Sequence, residues 1–220
     1  CRRGDSSTPH RSRVMKRCFD IAMSGASLLL LTPLLTTVAI VVALTSRGGP
    51  FFRQVRVGRH RRSFRILKFR TMTVRPDAAD GTFDAGDRSR VTSVGRFLRK
   101  TKLDELPQLW NVLVGDMSLV GPRPEIPAWT EVYRERWDRV LKLRPGMTDP
   151  ASIRYRDEER LLAASPDPES TYRDEILPRK LDLAERYVLE QSFLGDLAVL
   201  IATVKAVLTP RTRSPGHNGG

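Results

Sequence analysis

Cysteine is nearly absent. Cys1 and Cys18 are the only two in 220 residues, too few for a disulfide framework or a thiolate metal centre. A reducing compartment fits that scarcity, with Cys18 serving as a small apolar residue. Histidine is scarce too. His10, His60 and His217 lie in basic or tail segments, and none has a nucleophile visibly paired to it, so His-dependent hydrolytic chemistry has no support. No P-loop, dinucleotide fingerprint or internal repeat is present. Acidic charge is scarce in one third of the chain. Residues 1–70 carry 15 Lys/Arg against Asp5 and Asp20, whereas residues 71–220 carry 23 of each sign. The net charge of +13 is therefore a property of the N-terminal third, where an anionic membrane surface or nucleic acid would be its partner.

Charge of either sign is absent from Ile21 to Ser46, a run of 26 residues that is long enough for a membrane helix. A signal peptide does not fit, because a basic segment rather than a cleavage site follows. Both flanks are rich in Lys/Arg: Arg11, Arg13, Lys16 and Arg17 before, Arg47, Arg53, Arg56 and Arg59 after. Positive flanks favour the cytoplasmic side, and a single crossing satisfies only one of them. Thr32-Pro33 falls near the middle, where proline removes a backbone hydrogen bond. A helix that enters, bends there and leaves by the same face satisfies both flanks, with the Thr32 hydroxyl bonding a freed carbonyl. An ordinary kinked spanning helix is the alternative.

Residues 50–57 and 63–69 read as two short strands around a turn at 58–62. Val55/Val57 and Phe64/Ile66 alternate with arginine, which predicts a hairpin with one apolar and one basic face, the latter beside headgroups or a phosphate ligand. Residues 76–90 read as a polar loop; Asp77, Asp80, Asp84 and Asp87 lack the ligand order of a calcium loop. Trp129–Leu143 and Tyr172–Leu189 read as helices with many charges. From Phe193 to Leu208 an apolar face recurs, expected to pack on the core, with the membrane interface as the other use. The tail from Pro210 reads as disordered.

The stretch from Gly95 to Pro124 holds the chemistry. Asp104 and Glu105 stand side by side before a proline-started helix, with Leu106, Leu109, Trp110 and Leu113 as its apolar face. The helix N-terminus favours anions there and is expected to hold a carboxylate pKa down. Arg96, Arg99, Lys100 and Lys102 lie upstream, and Arg123 follows between Pro122 and Pro124. One carboxylate can attack phosphorus, its neighbour can hold Mg²⁺, and arginines can neutralise phosphoryl charge.

Six segments in order then carry a resemblance: Lys16-Arg17-Cys-Phe-Asp20, the Pro-interrupted apolar run, Lys68-Phe-Arg-Thr-Met72, Leu103-Asp-Glu-Leu-Pro-Gln-Leu-Trp-Asn111, Gly115-Asp-Met-Ser-Leu-Val-Gly-Pro-Arg-Pro124 and Arg144-Pro-Gly-Met-Thr148. Together they resemble the bacterial sugar transferase family, the monotopic polyprenyl-phosphate phosphoglycosyl transferases, from about Lys16 to Leu208.

The resemblance implies transfer of a sugar phosphate from a UDP-sugar to polyprenyl phosphate, with release of UMP, as a first membrane step of glycan assembly. Asp104 matches the family's nucleophile and Glu105 its Mg²⁺-associated acid. Arg123 matches the arginine that contacts nucleotide phosphate, framed by Pro122 and Pro124, and Lys68, Arg70 and Arg99 match basic residues of the substrate pocket. Thr32-Pro33 stands at the helix break. The implied fold is α+β and membrane-embedded: a flexible basic segment over 1–15, a re-entrant helix over 16–48, a mainly helical catalytic domain with a small hairpin over 49–209, and a tail over 210–220. The implied place is the cytoplasmic face of the bacterial inner membrane, among membrane lipids; a homo-oligomer is compatible with it, and nucleic acid is not expected. The chain looks like the family's minimal catalytic form. It departs at Thr148-Asp149-Pro-Ala-Ser-Ile153, where many members have Thr-Gly and a Gln-containing segment. The rival is a non-catalytic membrane-bound basic module that holds anionic lipid or nucleic acid.

Overall fold

The computed structural model describes residues 8–74 and 89–209. Asp77, Asp80, Asp84 and Asp87 of the acidic loop, the first seven residues and the tail from Pro210 lie outside them.

Helix α1 (Thr8–Thr45) runs for 38 residues, about 57 Å at 1.5 Å per residue. It begins earlier than the boundary at residue 16. It is also a single helical segment across Thr32 and Pro33 rather than two helices with a break between them. Pro33 removes the partner of the Leu29 carbonyl, but the Thr32 hydroxyl donates to the Leu28 carbonyl (2.7 Å), one residue short of the freed group. Neighbouring turns and the packing of both halves carry the helix through the proline.

That packing is specific. Phe19, Leu28 and Leu31 lie against a core of Ile66, Leu109, Val112, Met117, Leu119, Val120 and Tyr187. Beyond Pro33, Leu35, Val38 and Ala39 surround a second core of Val42, Phe69 and Leu98. Polar anchors fix the N-terminal half: Arg17 donates to the carbonyls of Val112 (2.7 Å) and Leu113 (2.9 Å). Buried Asp20 accepts from Ser118 Oγ (2.8 Å). The opposite face is bare, with Leu29 and Leu30 each 79% exposed.

Strands β1 (Phe51–Val57) and β2 (Ser63–Phe69) form the expected antiparallel hairpin. Its faces differ from the expected apolar and basic pair. Val55 stands opposite Arg65 and Val57 opposite Ser63, while Arg56 stands opposite Phe64 and Gln54 opposite Ile66. Opposed residues share a face, so Arg56 and Lys68 lie with Phe64 and Ile66, and the two valines lie on the other side. Both faces are mixed because both are covered: Ile66 and Phe69, on opposite faces, are each buried.

Helix α2 (Ser93–Thr101) is capped by the Thr92 hydroxyl and ends at Lys102 in the left-handed region. A 3₁₀ turn, Leu103–Glu105, leads into α3 (Gln108–Val114), with Pro107 at its N-cap. Leu109 and Val112 are buried, whereas Trp110 is 53% exposed; the buried face is one residue out of step with the expected one.

Strand β3 (Ser118–Val120) pairs in parallel with β4 (Gly146–Thr148). Past them, Gly121 and Gly146 touch backbone to backbone: a Cβ on Gly146 would stand 2.1 Å from the Gly121 nitrogen. Only glycine permits that approach.

The expected Trp129–Leu143 helix is two, α4 (Pro127–Val132) and α5 (Arg134–Val140), broken at Tyr133 with φ −123° and ψ 57°. After α6 (Pro150–Arg154), α7 (Glu158–Ala163) and α8 (Pro168–Thr171), a π-helical turn over Tyr172–Ile176 leads into α9 (Leu177–Glu190). These pack a third core around Trp129, Trp137, Leu162, Tyr172 and Leu181.

Helix α10 (Phe193–Leu208) corrects the expectation of core packing. Val199 and Leu200 reach the core, but Leu194, Ile201, Val204 and Leu208 are 50–77% exposed. A helix apolar on nearly every side has more such surface than this domain covers. It is tied to α1 through Asp196, which pairs with Lys16, and through Phe19 against Phe193 (5.3 Å between ring centroids).

Candidate active site

The tight turn between α2 and α3 puts Asp104 and Glu105 where β2 and the loop after β3 converge. Lys102 makes the turn with φ 60° and ψ 14°, and Glu105 N and Leu106 N bond back to the carbonyls of Lys102 (3.2 Å) and Leu103 (3.3 Å). Asn111, one turn into α3, registers the hairpin: its side chain accepts from Leu67 N (3.0 Å) and donates to the Arg65 carbonyl (2.9 Å). Lys68 is thereby aimed at the acidic pair.

The two acids sit in different environments. Glu105 Oε1 accepts from Lys68 Nζ at 3.0 Å and from Arg123 Nη2 at 2.7 Å. Asp104 is 8% exposed, and its Oδ1 is buried with no hydrogen-bond partner. Their titration diverges accordingly. Burial pushes the Asp104 carboxyl up and the Glu105 charge adds to it, outweighing Lys68, Lys102 and Arg99. Burial also raises Glu105, but Arg123, Lys68 and Lys102 together hold it well below the usual carboxylate range. The expectation of a lowered pKa thus fits Glu105 and fails for Asp104, because desolvation of a buried carboxylate, with the Glu105 charge added, exceeds the pull of the surrounding cations. Lys68 is itself lowered by burial against the pull of Glu105.

Of the other expected residues, Arg99 stands close enough to act on Asp104, held by Thr71 Oγ1 (3.0 Å) and Glu159 (2.7 Å). Pro122 and Pro124 frame Arg123, their carbonyls accepting from Gly146 N (2.9 Å) and Arg56 (3.3 Å). Arg70 turns elsewhere. Its guanidinium bonds the carbonyls of Gly48, Gly49 and Phe51 at 2.9–3.0 Å, fixing the connection from α1 to β1. Side chains alternate along a strand, so Lys68 and Arg70 share a face only while β2 continues, and it ends at Phe69. Arg96 and Lys100 are exposed.

Two supports escaped sequence reading. Arg56 reaches Glu125 (3.1 Å), whose other oxygen accepts from Tyr172 Oη (2.6 Å). Asp149, buried, accepts from Arg123 N (3.2 Å) and caps α6 through Ser152 N (2.7 Å). Both contacts bridge distant parts of the chain. The local signal was Asp149-Pro150, an N-cap followed by a first-turn proline.

For a divalent cation, the donor set is two adjacent carboxylates. Asp104 Oδ1 is unpartnered, and the bonds made to Glu105 by Lys68 and Arg123 both fall on Oε1. No group of three or more His, Cys, Asp or Glu is placed to hold a metal ion among the described residues. That fits Mg²⁺, which takes one or two carboxylates plus substrate phosphates, better than an all-protein cage.

A sequence profile of the family described as bacterial sugar transferase matches residues 11–210. A UDP-glucose:undecaprenyl-phosphate glucose-1-phosphate transferase of Escherichia coli K12 is 36% identical over 197 residues, covering 88% of this chain and 40% of the relative. An undecaprenyl-phosphate galactose phosphotransferase of Salmonella typhimurium is 35% identical over 213 residues, 90% of this chain and 41% of the relative. The uncharacterized sugar transferase EpsL of Bacillus subtilis is 38% identical over 196 residues and is matched over 88% of its length. The chain thus spans about two-fifths of the length of the first two and most of the third.

Proposed function

The chain belongs to the bacterial sugar transferase family, and we propose that it moves a sugar phosphate from a UDP-sugar to polyprenyl phosphate and releases UMP. The observation that carries this reading is the unequal pair: Glu105 is clamped by two cations while the neighbouring Asp104 keeps a buried, unbonded oxygen. A carboxylate oxygen free of hydrogen bonds and held out of water is a stronger nucleophile than a solvated one.

In this mechanism Asp104 Oδ1 attacks the sugar-linked phosphorus of the UDP-sugar. The bond from that phosphorus to the bridging oxygen breaks, and UMP departs with the oxygen and its electron pair. An oxygen of polyprenyl phosphate then attacks the same phosphorus, and the Asp104 carboxylate leaves. Arg123 and Lys68 offset charge on the phosphoryl oxygens, and Arg99 adds to the positive field over Asp104. Glu105 would hold Mg²⁺, and the ion would supply further neutralisation of phosphoryl charge.

The proposed place is the cytoplasmic face of the membrane, at the start of glycan assembly, with α1 embedded but not crossing. Support comes from contacts on both sides of Pro33: Arg17 near one end and Val42 near the other pack on the same domain. A crossing helix would carry one end about 30 Å away through the hydrocarbon. The test is UMP release by detergent-solubilised protein with Mg²⁺, polyprenyl phosphate and a panel of UDP-sugars. UMP from one sugar, dependent on Asp104, supports the reading; no UMP from any sugar by folded protein refutes it.

A further inference from the structure

The tip of the β1–β2 hairpin turns through two consecutive residues in the left-handed region, His60 (φ 54°) and Arg61 (φ 58°). Neither is glycine or asparagine, and this backbone is unfavourable for any residue with a larger side chain. Bonds to α4, to α5 and to the segment after α5 hold it. His60 N donates to the Leu141 carbonyl (2.8 Å), Arg59 Nε to the Lys142 carbonyl (3.0 Å), and Arg61 to Asp138 (2.6 Å) and Glu131 (2.8 Å).

Behind this turn lies a cavity of about 560 Å³, walled by Arg13 of α1, by Arg59, His60 and Arg61, and by Asp138 and Lys142. Arg61 is neutralised by its two carboxylates. Arg13, Arg59 and Lys142 take part in no ion pair among the described residues. Arg59 feels its neighbours: burial, then the charges of Arg144 and Arg13, lower its pKa. Three cations with no ion pair among the described residues face one space and repel one another, a repulsion that an anion there would relieve. None of them belongs to the catalytic cluster. Along β2, Ser63 and Lys68 are about 17 Å apart at 3.3 Å per residue.

We propose that this cavity is a second anion site, which takes the phosphate of an acidic phospholipid headgroup. The volume suits a headgroup rather than a bare ion. Arg13 precedes the uncharged run at Ile21 by eight residues, about 12 Å along the helix, which puts it within reach of the headgroup layer. The inference rests on the membrane reading of α1 and not on the transfer chemistry.

The experiment is native mass spectrometry of the detergent-solubilised protein titrated with phosphatidylglycerol, phosphatidylcholine or inorganic phosphate. The wild type should retain one phosphatidylglycerol that equimolar phosphatidylcholine does not displace. An Arg13→Gln/Lys142→Gln variant should bind it about 25-fold more weakly, about fivefold per cation, with an unchanged melting temperature. Arg179→Gln, which removes an exposed charge elsewhere, should bind as the wild type does. Undiminished binding by the double variant, or an equal loss in Arg179→Gln, would overturn the proposal. Displacement by millimolar inorganic phosphate would overturn it too, by assigning the cavity to a soluble ligand. UMP release run in parallel separates the two readings. A wild type that retains the lipid at these residues but releases no UMP refutes the transferase and leaves the lipid site standing.

Discussion

Asp149 Oδ2 accepts the backbone N–H of Arg123 at 3.2 Å, while its Oδ1 caps α6 at Ser152 N. One buried carboxylate therefore sets the loop that presents Arg123 and starts the helix that follows β4. Asp149→Ala removes both bonds. The expected result is a loss of about 1–2 kcal/mol in stability, the scale of a lost N-cap, with a higher KM for UDP-sugar. Asp149→Asn keeps one acceptor and should recover most of the stability. Thermal unfolding and a UDP-sugar titration read the two effects.

The acidic pair predicts opposite stability effects. Asp104 has a folded pKa above its unfolded value, so its contribution favours folding at low pH and is lost as pH rises through the raised value. Glu105 has a lowered folded pKa, so its contribution is present above the ordinary glutamate value and is lost as pH falls from there through the lowered value. At neutral pH, Asp104→Asn should raise the melting temperature by a few degrees while abolishing turnover, and Glu105→Gln should lower it. In the wild type, UMP release should fall on acidification at a pH above that of an ordinary aspartate. Equal destabilisation by both substitutions would contradict the assignment.

Lys68 and Arg70 are two residues apart and should separate cleanly. Lys68→Met removes one of the two cations on Glu105 and should lower UMP release about 100-fold. Arg70→Gln frees the Gly48, Gly49 and Phe51 carbonyls, so it should lower thermal stability while leaving the KM for UDP-sugar near that of the wild type. A raised KM in Arg70→Gln would return that residue to the substrate pocket.

The two ends of α1 should face the same compartment. With Cys1 and Cys18 replaced by serine, single cysteines at Met15 and Arg47, both exposed, should react with a membrane-impermeant maleimide from the cytoplasmic side alone. Labelling of the two from opposite sides would make α1 a spanning helix.

Much of this arrangement was legible locally. The hairpin, the helix after Pro107 and the long apolar helix all follow from alternation, proline placement and uncharged length. Other features depend on contacts that local pattern does not encode. The β3–β4 pair is three residues per strand, too short for a periodic signal, and its close approach hangs on Gly121 and Gly146 meeting across the fold. Trp110 fits a helical apolar face as well as Val112 does, and only packing of α1 and β2 decides that Val112 goes inside. Arg56, Glu125 and Tyr172 form one chain of bonds across more than a hundred residues. The direction of the Asp104 shift is set by burial, which spacing in the sequence does not reveal.

The most direct measurement is the UMP formed when the protein meets its UDP-sugar with no polyprenyl phosphate present. An aspartyl intermediate on Asp104 predicts a burst of up to one UMP per protein, with an intact mass increased by one sugar phosphate, and neither in Asp104→Asn. Absence of UMP until polyprenyl phosphate is added, or a burst that survives in Asp104→Asn, would contradict it.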